Sequence, residues 1–283
     1  MIPVLDIGGT HVTAALVDPA SAVVTDRRRE PLDARGAADA ILGAVLRCAG
    51  ELPAPEGAVW GVAVPGPFDY AAGVALFRGV GKFDGLYGVD VREALLGGLR
   101  GRPSGVVFLN DAHAFAAGEW SAGAARGQRR CVGITLGTGV GSAFLVEGRP
   151  CREGPGVPPE GRVDLLRLGG RPLEDSVSRR AIRARYGDPA ADVREIAARA
   201  RAGEARARAV LEATFAALGS ALRPCLVAFG AGGLVVGGSM AASWDIVGPA
   251  LRAGIGSAGV RPAVGSLGGD APLIGAARAA AGP

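Results

Sequence analysis

One pattern constrains this chain more than any other: an apolar strand, a Gly/Thr turn and a second apolar strand, met twice. The first copy is Leu5-Asp6-Ile7-Gly8-Gly9-Thr10-His11-Val12-Thr13-Ala14-Ala15-Leu16-Val17, closed by Asp18. The second runs from Ile134 through Leu136-Gly137-Thr138-Gly139-Val140-Gly141 to Val146 and is closed by Glu147. Each reads as a β-hairpin. Glycines leave the backbone N–H groups of such a turn uncovered, and a run of these donors makes a concave nest for phosphate oxygens, to which Thr10 and Thr138 add hydroxyls. A single turn of this kind is an ordinary hairpin. Two in register, one per half of the chain, predict a duplicated domain with a nucleotide clamped between facing hairpins.

At 283 residues there is room for two domains of ordinary size, each with its own core. No apolar run reaches the ~20 residues that cross a bilayer, and Met1-Ile2-Pro3 leads straight into the first strand, so a cytoplasmic protein with no membrane partner is expected. Cys48, Cys131, Cys151 and Cys225 lie far apart, and with His11 and His113 they offer no zinc spacing. The formal charge is +4, but the arginines are interspersed with acids and aromatics are few, which argues against nucleic acid. Lys82 is the only lysine.

In chain order the first hairpin is followed by a short strand over 22–25, a charged loop or frayed edge over 26–35, and a helix from 37 that ends at Gly50. A buried strand over 58–64 delivers Pro65-Gly66-Pro67, a loop with little backbone freedom. A glycine-rich loop over 79–88 carries Lys82, and a helix over 91–99 comes next. The strand Val106-Val107-Phe108-Leu109 ends on Asn110-Asp111, where the next helix begins. The dipole of that helix is expected to lower the pKa of Asp111, leaving it ionised and able to accept a hydrogen bond from a hydroxyl. The alternative is an ordinary N-cap. Past the second hairpin lies an irregular segment over 148–164, with Glu160 among prolines. Helices over 173–186, 193–201 and 205–221 come next, the last disturbed by Pro224. A strand then enters Gly237-Gly238, whose backbone could lie against a base or a phosphate. A final helix runs over 273–281.

These motifs resemble the ROK family of sugar kinases and repressors, within the actin, hexokinase and Hsp70 superfamily. Asp6-Ile7-Gly8-Gly9-Thr10 and Leu136-Gly137-Thr138-Gly139-Val140-Gly141 match its two phosphate motifs. Pro65-Gly66-Pro67 matches its sugar loop, Asn110-Asp111 its catalytic pair, Val235-Val236-Gly237-Gly238 its adenosine motif, and Gly275-Ala276-Ala277 its closing helix. The resemblance implies an α/β fold of two actin-like (ribonuclease-H-like) domains with a nucleotide and sugar cleft between them. Residues 1–112 with the C-terminal helix 272–283 would form one domain, and 113–271 the other. It implies transfer of the γ-phosphoryl group of ATP to a sugar hydroxyl with Mg²⁺. Asp111 would take the hydroxyl proton, and Asn110 would hold a neighbouring hydroxyl. Asp6 would orient the metal, through water. Gly8, Gly9, Thr10, Gly137, Thr138 and Gly139 would bind phosphates, Gly237 and Gly238 the adenosine, and Gly66, Glu160 and Glu174 the sugar. A homodimer is common in the family.

The chain departs from the family in one region. The usual Gly-Glu-x-Gly-His stretch is replaced by Glu160-Gly161-Arg162-Val163, and the zinc motif CxCGxxGCxE has lost every cysteine, leaving Arg171-Pro172-Leu173-Glu174. No zinc is expected, with Leu165, Leu166, Leu168 and Leu173 packing the space instead. The loop at Lys82 also lacks the family's Asn-Leu. The leading expectation is an ATP-dependent kinase of a hexose or hexose-like polyol, with a cyclitol or modified sugar as a variant and polyphosphate left open as donor. The rivals are a catalytically silent sugar sensor, a nucleotide hydrolase and a repressor. Only five residues precede Asp6, where such repressors carry a helix-turn-helix, so DNA binding is not expected.

Overall fold

The computed structural model describes residues 1–282, which divide into two units: 1–118 with the stretch from Gly269 onward, and Glu119–Gly268. In the first unit the chain forms β1 (Ile2–Ile7), β2 (His11–Asp18), β3 (Val23–Pro31), α1 (Ala38–Gly50) and β4 (Val59–Val64). The short hairpin β5 (Phe68–Asp69) and β6 (Val74–Ala75), α2 (Val91–Gly98), β7 (Gly105–Asn110) and α3 (Asp111–Ala122) complete its run. The sheet has the order β3-β2-β1-β4-β7, with β1 antiparallel to β2 and parallel to β4. Parallel central strands are covered on both faces and therefore read as near-continuous apolar runs. Val4, Leu5 and Ile7 in β1 and Trp60, Val62, Ala63 and Val64 in β4 are buried accordingly.

Of the two readings of the charged stretch after Thr25, loop or frayed edge, the edge holds as far as Pro31. β3 continues to Pro31 with every second residue exposed, pairing Arg27 to Ala15 and Glu30 to Val12. An edge strand keeps one row of side chains in water, so arginines there are compatible with pairing and discourage a further strand from adding. Arg27 pairs with Asp270, and Glu30 lies 3.8 Å from Arg47.

The second unit contains β8 (Arg130–Leu136), β9 (Val140–Val146), β10 (Arg149–Pro150), β11 (Arg167–Leu168), β12 (Arg171–Pro172), α4 (Glu174–Val177), α5 (Arg179–Tyr186), α6 (Val193–Arg201), α7 (Ala205–Phe229), β13 (Gly233–Gly237), α8 (Trp244–Ile255) and β14 (Arg261–Val264). Its main sheet is ordered β10-β9-β8-β13-β14, again an antiparallel hairpin continued by parallel strands. The duplicated sequence pattern thus corresponds to a duplicated sheet. The carboxylate of Glu119, fully buried, accepts from the N–H groups of Ala124 (2.8 Å), Ser266 (3.0 Å) and Leu267 (2.9 Å), tying the two ends of this unit together.

Two helices differ from expectation. The stretch over 173–186 is broken at Ser178, whose extended backbone (ψ 162) ends α4 and whose hydroxyl accepts from Ala181 N–H to start α5. α7 runs through Pro224 to Phe229, where Gly230 caps it in the left-handed conformation. At 25 residues it is long and apolar enough to cross a membrane, contrary to the reading of the sequence. Its Val210, Leu211, Phe215, Leu218, Leu222 and Leu226 are buried in the core of the second unit.

The last helix, α9 (Ala271–Ala281), returns to the first unit. A side chain at Gly61 of β4 would collide with the carbonyl of Ala276, and one at Gly275 with the carbonyl of Ala114, so only glycine allows these close approaches.

Candidate active site

Each Gly/Thr turn is closed by a backbone bond from its first glycine. Gly8 N–H donates to His11 O at 2.9 Å, and Gly137 N–H to Gly139 O at 3.1 Å. The N–H groups of Gly9, Thr10, Thr138 and Gly139 are left without partners among the described residues. Free donors at successive positions are what an anion nest requires. Thr10 Oγ1 lies 2.9 Å from His11 Nδ1.

In the first unit, Asp6 and Asp111 stand at the ends of β1 and β7. Burial raises the Asp6 carboxyl from 3.8 to about 7, the negative charge of Asp111 adds to the rise, and Arg29 opposes it. Asp111 corrects the sequence reading. It is the first residue of α3 and its Oδ1 accepts from Ala112 N–H at 2.9 Å, but loss of hydration outweighs that help and pushes its pKa up rather than down. Lys82 pulls it partly back. Much of the residue's surface is nonetheless open to water, so a substrate hydroxyl can reach it.

Asn110 is the residue that caps α3: its Oδ1 accepts from Ala112 N–H at 2.9 Å and from His113 N–H at 3.4 Å. Its Nδ2 donates to the Tyr70 hydroxyl at 3.0 Å, and that hydroxyl lies 3.4 Å from Val64 O. A Cβ on Gly66 would sit 3.4 Å from the same hydroxyl and 3.9 Å from Asn110 Nδ2. Gly66, Tyr70 and Asn110 therefore form one polar group at the end of the parallel strands, the position at which open α/β sheets bind ligands. Tyr70 belongs to none of the sequence motifs. The only local signal is an aromatic residue three positions past the Pro-Gly-Pro loop.

In the second unit, Gly137, Gly139, Glu174, Gly238 and Ser239 converge. Gly238 (φ +83) lies so close to Leu136 that a Cβ would collide with its backbone, which brings the end of β13 against the second turn. Arg179 N–H donates to Gly137 O at 3.3 Å, and its Nη2 to Ser239 Oγ at 3.0 Å. Its Nε is buried with no partner. A cavity of about 410 Å³ opens here, between Arg179, Ser239 and Met240 and the first turns of α6. Glu174 Oε1 is 2.9 Å from where a Cβ on Gly139 would stand, and burial, then Asp164 and Asp175, raise its pKa.

Glu160 stands apart, an exposed carboxylate on a left-handed turn (φ 57) with no hydrogen bond or ion pair among the described residues. Val163 is fully buried in the same core cluster as Phe144 and Leu173. Ser142 holds this loop, donating to Gly161 O at 2.6 Å and accepting from Val163 N–H at 3.0 Å. The leucine packing expected here is corrected at one position: Leu173 is buried, Leu166 and Leu168 pack at the margin, and Leu165 is exposed. Among the described residues no group of three or more His, Cys, Asp or Glu could hold a metal ion by itself.

The profile of the ROK family matches residues 3–281. A glucokinase of Thermotoga maritima is 30% identical over 145 residues, which are 51% of this chain and 44% of that protein, so the match spans less than half of its length. The crystal structure of a ROK hexokinase from Thermus thermophilus superposes with a TM-score of 0.77 at 25% identity, covering 98% of this chain and 97% of that one. That of an inorganic polyphosphate/ATP-glucomannokinase from Arthrobacter sp. strain KM gives 0.72 at 26% identity, with 99% of each chain covered.

Proposed function

Because the chain belongs to the ROK family, we propose that it is an ATP-dependent kinase that transfers the γ-phosphoryl group to a hydroxyl of a hexose or hexose-like polyol. The observation that carries this reading is the juxtaposition in one unit of a phosphate-type turn with free N–H donors at Gly9 and Thr10, and a water-accessible Asp111 whose pKa is raised. Asp111 accepts the proton of the attacking hydroxyl. A carboxylate lifted toward neutral pH is a better general base than an ordinary one, provided it stays ionised at the working pH.

The polar group at Gly66, Tyr70 and Asn110 positions the acceptor. Asn110 Nδ2 keeps a second hydrogen for a sugar hydroxyl beyond the one given to Tyr70. The turns at Gly8–Thr10 and Gly137–Gly139 hold phosphate oxygens through backbone N–H groups and the Thr10 and Thr138 hydroxyls. The cavity beside Gly238 and Ser239 takes the adenosine. Phosphoryl transfer asks a protein mainly to place its two substrates and to neutralise charge, and this set of groups does both.

The residues fit Mg²⁺. Asp6 supplies hard carboxylate oxygens, and an acid whose pKa is raised by burial and by a second carboxylate is stabilised in its charged form by a cation. When bound, Mg²⁺ supplies neutralisation of phosphate charge. With Val163 in the core, the loop offers no imidazole to the acceptor, which favours a cyclitol or modified sugar as much as a common hexose.

The test is ADP release with Mg²⁺ and ATP across hexoses, amino sugars and cyclitols, with mass spectrometry of the products. A phosphorylated acceptor supports the reading. No acceptor-dependent ADP, or near wild-type turnover by Asp111→Asn, refutes it.

A further inference from the structure

Lys82 is the only lysine of the chain, and the kinase reading leaves it without a role. A role for it in phosphoryl transfer rests on that reading. Its loop is held rigidly on both sides. The Asp84 carboxylate accepts from Val80 N–H at 2.9 Å and Gly81 N–H at 3.0 Å. Phe83, in the left-handed conformation (φ 60), is fully buried 5.1 Å from the Phe77 ring, and its N–H donates to Ala34 O. Between these anchors the Lys82 side chain is half-buried, with Cδ 3.8 Å from where a Cβ on Gly9 would stand. Its charge acts on Asp111. Among the described residues its ammonium makes no ion pair and no hydrogen bond. A lysine normally reaches into water or finds a carboxylate, and one fixed part-way in, unpaired, beside free N–H donors is placed for an anion.

We propose that Lys82 is a catalytic residue that donates from Nζ to the oxygens of the phosphoryl group as it passes from nucleotide to acceptor. In that step the acceptor oxygen bonds to phosphorus while the bond from phosphorus to the β–γ bridging oxygen breaks. The electron pair of that bond leaves with ADP, the hydroxyl proton goes to Asp111, and Lys82 keeps its proton. The placement of its side chain beside the Gly9 turn assigns Lys82 to the phosphoryl.

Lys82→Met and Lys82→Arg are compared with wild type in steady-state kinetics on an acceptor that wild type phosphorylates. The methionine variant is expected to lose about 10²–10³-fold in kcat while its acceptor KM moves less than about threefold, and the arginine variant to recover part of the loss. A kcat within about threefold of wild type, or a loss confined to acceptor KM, overturns the proposal. A second readout is independent of turnover. Reductive ¹³C-methylation of wild type gives one dimethyl-lysine resonance besides the terminal amine. That resonance is expected to shift on adding ADP, Mg²⁺ and aluminium fluoride, and to shift less with ADP and Mg²⁺ alone; no difference between the two overturns the proposal. Failure of the kinase reading itself looks different, because wild type would then phosphorylate nothing, and the resonance alone would decide the role of Lys82.

Discussion

Asn110 Nδ2 donates to the Tyr70 hydroxyl at 3.0 Å while Asn110 Oδ1 caps α3, so one carboxamide couples the helix that carries Asp111 to the loop that carries Gly66. Removing the hydroxyl should loosen the acceptor site without unfolding it. Tyr70→Phe keeps the ring packed against Phe68, 5.3 Å away, and loses a hydrogen bond worth about 1 kcal/mol. The expected result is an acceptor KM raised about fivefold with kcat within about threefold, read by steady-state kinetics. An unchanged KM would remove Tyr70 from the site.

The raised pKa of Asp111 fixes the acid limb of the pH profile. The base works only when ionised, so kcat/KM should fall, as pH is lowered, through an inflection above the ordinary carboxylate range. Lys82 lowers that pKa, and Lys82→Met should therefore move the inflection further up. A limb at the ordinary carboxylate value in wild type would refute the upward shift.

Asp6 makes a prediction about stability in the metal-free protein. Its pKa is about 7 folded against 3.8 unfolded, so between those values the folded state holds more protons. Stability from this group is full below the unfolded pKa and is lost as pH rises through the folded one. Asp6→Asn removes the dependence. The difference in Tm, variant minus wild type, should grow from about pH 4 to about pH 7 and then level. A difference that stays flat across this window would refute the shift.

Gly238 is where β13 meets the second phosphate turn. Gly238→Ala places a Cβ against the backbone of Leu136 and forces alanine into φ +83. A destabilisation of roughly 2–4 kcal/mol is expected, together with weaker binding of an ATP analogue by calorimetry. An alanine variant with wild-type stability and affinity would show that this close approach is not needed.

The hairpins, the sheet they begin and the duplication were legible because glycine turns and unbroken apolar strands are local signals. What escaped was set by distance. Nothing in residues 26–31 says that their partner is β2, so the charged stretch reads equally as a loop or a frayed edge. The dipole at Asp111 is visible in sequence, but the surrounding protein that outweighs it is not. Tyr70 and Asn110 are 40 positions apart, and it takes the pairing of Val64 with Asn110, with the Tyr70 hydroxyl on Val64 O, to bring them together. Ser178 interrupts a helical pattern that its own hydroxyl then restarts, and periodicity does not register such a break.

The return of α9 to the first unit also sets an order of birth. Residues 119–268 form an uninterrupted stretch, whereas the first unit needs the chain beyond Gly269. The first unit therefore stays incomplete until the stretch from Gly269 onward is made, with the faces of Gly61 and Ala114 bare until Gly275 and Ala276 arrive. The half that carries Asp6, Lys82 and Asp111 is begun first and completed last.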